Sequence, residues 1–242
     1  MSPTGKPPVT APHHDLVHAV GTELARHADA ERAAGQQAYM KSALPYRGLT
    51  TPRLRAVVRP LLGAKEHEMS SPDEWEATIR ALWDEAAYRE EWYAAIALAR
   101  HRAYRRWVDS DSMPLWRHLI VTGAWWDVDD HVATHLVRDV RVGAPEVEGL
   151  RLREWAASDD LWLRRSAITC QVGLKTGVDR RLLIDAIEPN LADRDFFIRK
   201  AIGWALRDHA RVAPDWVRSF VDRHDGDLSG LSRREALKHL AG

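Results

Sequence analysis

The stretch with the clearest potential for chemistry is Ala124-Trp125-Trp126-Asp127-Val128-Asp129-Asp130, where two indoles stand side by side and three carboxylates follow within one helical turn. In a helix Trp126 and Asp130, four residues apart, share a face. An indole beside a carboxylate on a concave surface is a place to hold a cation. Neighbours on a helix point about 100° apart, so Trp125 and Trp126 do not both fit a core, and one is expected to face a groove. Asp127 suits a first-turn partner of the helix dipole. Asp130 lies a full turn in, beyond any capping role, so its carboxylate needs another reason.

Other chemistries find less support. His131 and His135 have the i,i+4 spacing of metal ligands, but Val132 stands where a zinc protease carries glutamate, and no third ligand is evident. No metal and no cofactor are expected. There is no glycine-rich phosphate loop, no Gly-x-Ser-x-Gly elbow and no Cys-x-x-Cys. The single cysteine, Cys170, excludes an internal disulfide and fits a reducing cytoplasm, the expected location. It falls in an apolar helical run and reads as a buried, inert thiol.

These residues belong to a chain of 242, 45% hydrophobic and 29% charged, the balance of a soluble globular protein. No apolar run approaches the roughly 18–20 residues of a membrane helix. Residues 1–12 are rich in proline, lack an apolar core and read as a disordered lead-in rather than a secretory signal; residues 13–242 read as one domain. The formal net charge is zero, which argues against strong nonspecific polyanion binding but leaves the layout of charge open. With 11 tryptophans against 3 phenylalanines, aromatic demand falls on the ring whose N–H wants a partner.

The elements that must position the site are helices. His13–Ala34 carries an apolar stripe at Leu16, Val17, Val20 and Leu24, with Gly35 ending it and Gln36–Ser42 continuing as a short helix. Thr51-Pro52 reads as a cap with proline opening a helix that Gly63 closes, and Ser71-Pro72-Asp73-Glu74 as a capping box. Further helices are predicted at about 85–104, 112–122, 125–140, 145–156, 159–175, 179–190, 193–211, 214–224 and 232–240, with strand signals nearly absent.

The helices also repeat. Trp92, Trp126, Trp162 and Phe197 recur at spacings of 34, 36 and 35 residues, with small residues following each. That period predicts a solenoid of helical hairpins whose inner helices line a concave groove. Three residues beyond each aromatic stand Ala95, Asp129, Arg165 and Lys200, which the repeat sets at similar heights on successive helices. Basic residues recur, often in sequence pairs: Arg164/Arg165, Arg199/Lys200, Arg207 with Arg211, and Arg233/Arg234. They predict either a nucleic-acid groove or solvated helix faces laced with ion pairs.

Several segments together carry a resemblance: Tyr39-Met-Lys-Ser, Tyr46-Arg-Gly-Leu-x-x-Pro52, Tyr88-Arg-Glu, Trp125-Trp-Asp-x-x-Asp130, Asp160-Leu-Trp-Leu-x-Arg165-x-Ala-Ile, Phe196-Phe-Ile-x-Lys-Ala-Ile-Gly-Trp204-x-Leu-Arg207 and Leu231-Ser-x-Arg-Glu-Ala-x-Lys-His. The chain resembles the AlkD-like family of HEAT-repeat DNA glycosylases, the DNA alkylation repair enzymes. The resemblance implies an all-α fold, an α-α superhelix of HEAT-like hairpins with a concave basic groove. It implies excision of cationic alkylated purines, N7-alkylguanine and N3-alkyladenine, from duplex DNA by a monomer, without flipping the base into a pocket. The family's catalytic aspartate matches Asp130, and its two groove tryptophans match Trp126 and Trp204. Its backbone-holding arginine matches Arg165, and a tyrosine at the N-terminal end of the groove matches Tyr39. Lys200 and Arg207 are further expected DNA contacts.

The chemistry agrees with the residues. A cationic purine is a good leaving group, and breaking its glycosidic bond builds positive charge on the sugar. A carboxylate 4 Å away contributes about 4 kcal/mol at an effective dielectric of about 20, roughly a thousandfold in rate. No lysine stands beside Asp130 for a Schiff-base step, so a monofunctional glycosylase is expected. Asp129 is an extra acid that could raise the pKa of its neighbour. The alternatives are a noncatalytic HEAT-type module that binds damaged or branched DNA, and a protein–protein scaffold.

Overall fold

A computed structural model of the chain describes residues 10–240, and the greater part of the predicted lead-in lies outside them. Among the described residues every regular element is helical, and no helix is long and apolar enough to cross a membrane. The chain divides into two compact units, one ending at Trp107 and the other beginning at Val108.

The first unit holds α1 (His14–Arg26), α2 (Ala30–Met40), α3 (Thr51–Gly63), α4 (Pro72–Asp84) and α5 (Arg89–Ala99), followed by a 3-10 segment, Arg102–Trp107. Leu16, Val20 and Leu24 of the α1 stripe are fully buried, and α1 packs on α3, α4 and α5. Gly35 lies inside α2 rather than ending a helix, because the chain breaks earlier, at Asp29, whose carboxylate caps Arg32. The cap of α3 is Thr50, one residue before the predicted position, with Pro52 inside the first turn. The helix predicted from 85 to 104 spans only Arg89–Ala99. Its start is fixed by Glu91, which accepts the Ala87 and Tyr88 amides, and its apolar pattern runs on into the 3-10 segment. Glu90, fully buried, accepts the Arg47, Gly48 and Leu49 amides and ties the Tyr46–Leu49 loop to α5.

The second unit contains α6 (Met113–Gly123), α7 (Trp126–His131), a π-helical segment (Val132–Val137), α8 (Arg138–Gly143), α9 (Pro145–Ala156), α10 (Leu161–Thr169), α11 (Arg180–Ile187), α12 (Phe196–Ala210), α13 (Pro214–Arg223) and α14 (Gly230–Leu237). Sequential helices pack as pairs, α9 on α10 and α12 on α13 among them, and the pairs stack: α9 lies on α11, while α7 lies on α10, α10 on α12 and α12 on α14. This is the stacked-hairpin arrangement that a repeat of about 35 residues predicts. The row α7, α10, α12, α14 is seamed by Val128, Leu163, Ala167, Ile198, Ala201 and Ala205, all buried. Side-chain caps open three helices of that row: Asp160 for α10, Asp195 for α12 and Ser229 for α14. Each is worth about 1 kcal/mol. The closest approach is at Gly203, where a Cβ would lie 2.5 Å from Cβ of Glu235. That glycine is what lets α14 lie against α12.

Candidate active site

α7 begins at Trp126, with Trp125 as its cap residue in extended conformation. That break separates the two indoles. Trp125 turns into an aromatic cluster, 5.4 Å from Phe197 and 6.2 Å from Trp162. Trp126 turns the other way. It lines a cleft of about 290 Å³ together with Asp130, Arg165, Phe196, Phe197, Lys200, Trp204 and Arg207. The cleft is built by α7, α10 and α12, and its wall is aromatic on several sides with one carboxylate and three cations.

The one-turn register of α7 sets its three acids apart. Asp127 is buried in the first turn, Asp129 is fully buried, and Asp130 is partly open, its side chain 26% exposed. Immediately beyond, the helix widens into the π-helical segment, a departure common at functional sites. There the Thr134 hydroxyl donates to the Asp130 carbonyl at 2.6 Å. His131 and His135 stand with their rings 6.0 Å apart, His131 exposed.

Arg165 is the hub. Its side chain is only 5% exposed, and each edge of its fork is committed. Nη2 donates to Asp130 at 2.5 Å, Nη1 donates to the Phe197 carbonyl at 2.7 Å, and Nε lies 3.0 Å from Asp129. Asp129 also accepts the Ser166 hydroxyl. Burial raises the Asp129 carboxyl to about 7 despite the pull of Arg165 and Ser166, with Asp130 adding to the rise. Asp130 is also raised, by burial first, with Arg165 and His131 pulling it down. The paired arginines therefore divide their labour. Arg164 faces away and holds the Ser158 and Asp159 carbonyls and Asp193, while Arg165 faces the cleft.

On α12, Lys200, Trp204 and Arg207 follow one another along the face that lines the cleft. Both cations reach across to one carboxylate of α14: Lys200 Nζ lies 2.9 Å from Glu235 Oε1, and Arg207 pairs with Oε2. The hydrogen bond from Lys200 holds Glu235 below the usual carboxylate range. Cys170 is fully buried, its thiol pushed up to about 12 by burial.

Six of the residues singled out from sequence thus gather in one cleft: Asp130, Trp126, Trp204, Arg165, Lys200 and Arg207. Tyr39 belongs to the first unit, near the end of α2, and is 78% exposed. Three participants are not among the candidate catalytic and DNA-contacting residues. Phe196, 58% exposed in the cleft, follows the same adjacent-aromatic logic as Trp125-Trp126 and could have been found by it. Asp129 is legible as an extra acid level with Arg165, but Glu235 leaves no such signal, because its role depends on Lys200 and Arg207, 35 and 28 residues away.

The model of the family described as DNA alkylation repair enzyme matches residues 20–240. A solved structure, a predicted DNA alkylation repair enzyme from Enterococcus faecalis, is similar with a TM-score of 0.78 and 28% identity, covering 88% of this chain and 97% of that one. No curated protein matches the chain.

Proposed function

The chain belongs to the DNA alkylation repair enzyme family, and on that premise we propose that it is a monofunctional DNA glycosylase acting on cationic alkylated purines, N7-alkylguanine and N3-alkyladenine, in duplex DNA. The observation that carries this reading is the placement of Asp130 on the wall of one cleft together with Trp126 and Trp204.

The reaction follows from that placement. As the C1′–N bond breaks, its electron pair leaves with the base, which departs neutral, and positive charge develops on the deoxyribose. The Asp130 carboxylate and the two indole faces stabilise that charge. Water then adds to C1′ and gives up a proton, leaving an abasic site. The base needs no protonation, since the lesion is already cationic, so one acidic residue serves where two are usual in glycoside hydrolysis. Arg165 holds Asp130 in position; with its side chain only 5% exposed and its nitrogens turned to Asp130, Asp129 and the Phe197 carbonyl, it acts through Asp130 rather than on the DNA backbone expected from the resemblance. Lys200, Arg207 and Tyr39 are the further contacts to DNA phosphates. A cleft walled by the protein's own helices and open to solvent suits a damaged nucleotide that remains in the duplex.

The test is release of 7-methylguanine from alkylated duplex DNA by the wild type and by Asp130→Asn. No release by a wild type that binds the DNA refutes the enzyme reading and favours a binding module. Full activity of Asp130→Asn refutes the assignment of Asp130.

A further inference from the structure

The reaction as proposed leaves Asp129, the deepest charge of the site, without a task. Asp129 is fully buried. One of its oxygens accepts the Ser166 hydroxyl, and the other lies 3.0 Å from Arg165 Nε. The same guanidinium reaches Asp130 and the Phe197 carbonyl through its other two nitrogens. A buried carboxylate carries a large desolvation penalty, and an apolar residue of similar size packs such a site at lower cost. Asp129 makes no cap hydrogen bond: it stands in the first turn of α7, turned inward, next to the acid that faces the cleft.

We propose that Asp129 is a positioning residue for the excision reaction, holding the Nε edge of Arg165 so that its fork fixes Asp130 at the cleft wall, and sharing the one guanidinium so that the Asp129–Asp130–Arg165 trio keeps one negative charge toward the developing sugar cation. This role rests on the proposed function, in which Asp130 is the group that meets the sugar. With both acids ionised, two carboxylates face one guanidinium and the trio carries one negative charge. With asparagine at 129, Asp130 and Arg165 neutralise one another. The repeat explains the geometry: Asp129 and Arg165 hold equivalent positions on successive helices of the row, so a carboxylate there comes within 3.0 Å of the guanidinium Nε.

The charged and titratable groups around the trio are Asp127 and His131 on α7, the Cys170 thiol with Arg141 of α8 behind it, and across the cleft Lys200 and Arg207 of α12, both answered by Glu235 of α14, while Ser166 on α10 adds its hydroxyl. Because burial pushes Asp129 up to about 7, the trio reaches its full negative charge only as pH rises through the neutral range.

The experiment is single-turnover base release from a duplex carrying one N7-methylguanine, from about pH 5 to about pH 8.5, for wild type, Asp129→Asn and Ser166→Ala. Asparagine keeps the shape and can accept from Arg165 while donating to Ser166. Its expected effect is a rate roughly tenfold lower at the upper end of the range, less than the loss of a group that touches the reacting atoms. DNA affinity stays within about twofold, and the rise in rate through neutral pH disappears. Ser166→Ala keeps both charges but loses a hydroxyl that favours the Asp129 anion, so its rise moves to higher pH. That variant carries the test if Asp129→Asn does not fold. Wild-type rates and an unshifted profile in both variants, or a loss confined to DNA affinity, overturn the role. A wild type that releases no base overturns the proposed function itself; an active wild type beside an indifferent Asp129→Asn overturns this role alone.

Discussion

Arg165 donates to Asp130 at 2.5 Å while its Nε lies 3.0 Å from Asp129, so one guanidinium is held between two adjacent carboxylates of the same helix turn. The charge at this point of the cleft wall is therefore set by three residues rather than one.

Removing the Asp130 charge tests the carboxylate proposed to meet the sugar. Asp130→Asn is expected to slow base release by roughly a thousandfold, from a charge interaction of about 4 kcal/mol at an effective dielectric of about 20. Because burial raises this carboxyl, its ionisation opposes folding, and the variant's melting temperature is expected to equal or exceed that of the wild type. Single-turnover kinetics and a thermal melt on the same preparation separate chemistry from folding.

The buried acids also set a direction for stability. Between the ordinary aspartate value of 3.8 and about 7, the folded chain holds a proton on Asp129 that the unfolded chain has lost. The unfolding free energy therefore falls as pH rises across that window. Asp129→Asn flattens this decline, so its melting temperature gains on the wild type as pH rises from about 4 to about 7. A difference between the two proteins that stays constant with pH would count against the raised carboxyl.

Arg165→Lys keeps a cation but loses the fork. Lysine cannot reach Asp130, Asp129 and the Phe197 carbonyl together, so the activity is expected to fall more than about tenfold. With less pull on its carboxylate, Asp130 titrates higher and the acid limb of the pH–rate profile moves to higher pH. A full pH–rate profile of both proteins checks this; an unmoved limb removes Arg165 as the group that holds Asp130 ionised.

Lys200 and Arg207 share Glu235, so half of their charge is already answered within the protein. Glu235→Gln is expected to tighten binding to duplex DNA at low salt and to steepen the slope of log affinity against log salt by about 0.9. Lys200→Ala is expected to make that slope shallower by about the same amount. Fluorescence anisotropy across a salt series measures both. Equal slopes in all three proteins would remove this pair from the phosphate contacts.

Gly203→Ala tests how α14 is held. The new Cβ would meet Glu235 Cβ at 2.5 Å and the Ser232 carbonyl at 3.1 Å, both close to rigid backbone. Overpacking costs about 1–3 kcal/mol, against a helix-propensity gain of about 1 kcal/mol. A net loss of up to roughly 2 kcal/mol in denaturant unfolding is expected. A stabilised variant would show that α14 shifts without cost.

The amino-acid sequence alone determined the helical class, most helix positions and the residues that could do chemistry, because caps, apolar periodicity and the repeat of about 35 residues are local or strictly periodic signals. The period even set Asp129 and Arg165 at one height on neighbouring helices, where they lie 3.0 Å apart. Tertiary structure decided what depends on how each helix is rotated and what it packs against. Only packing turned Trp126 into the cleft and Trp125 toward Phe197. It sent Arg164 outward and Arg165 inward. It widened the turn after His131 into a π-helix and brought Glu235 onto two cations through the gap at Gly203. Such choices rest on contacts between residues far apart in the chain, where a rotation of one helix by a single residue changes every partner and leaves the local pattern unaltered.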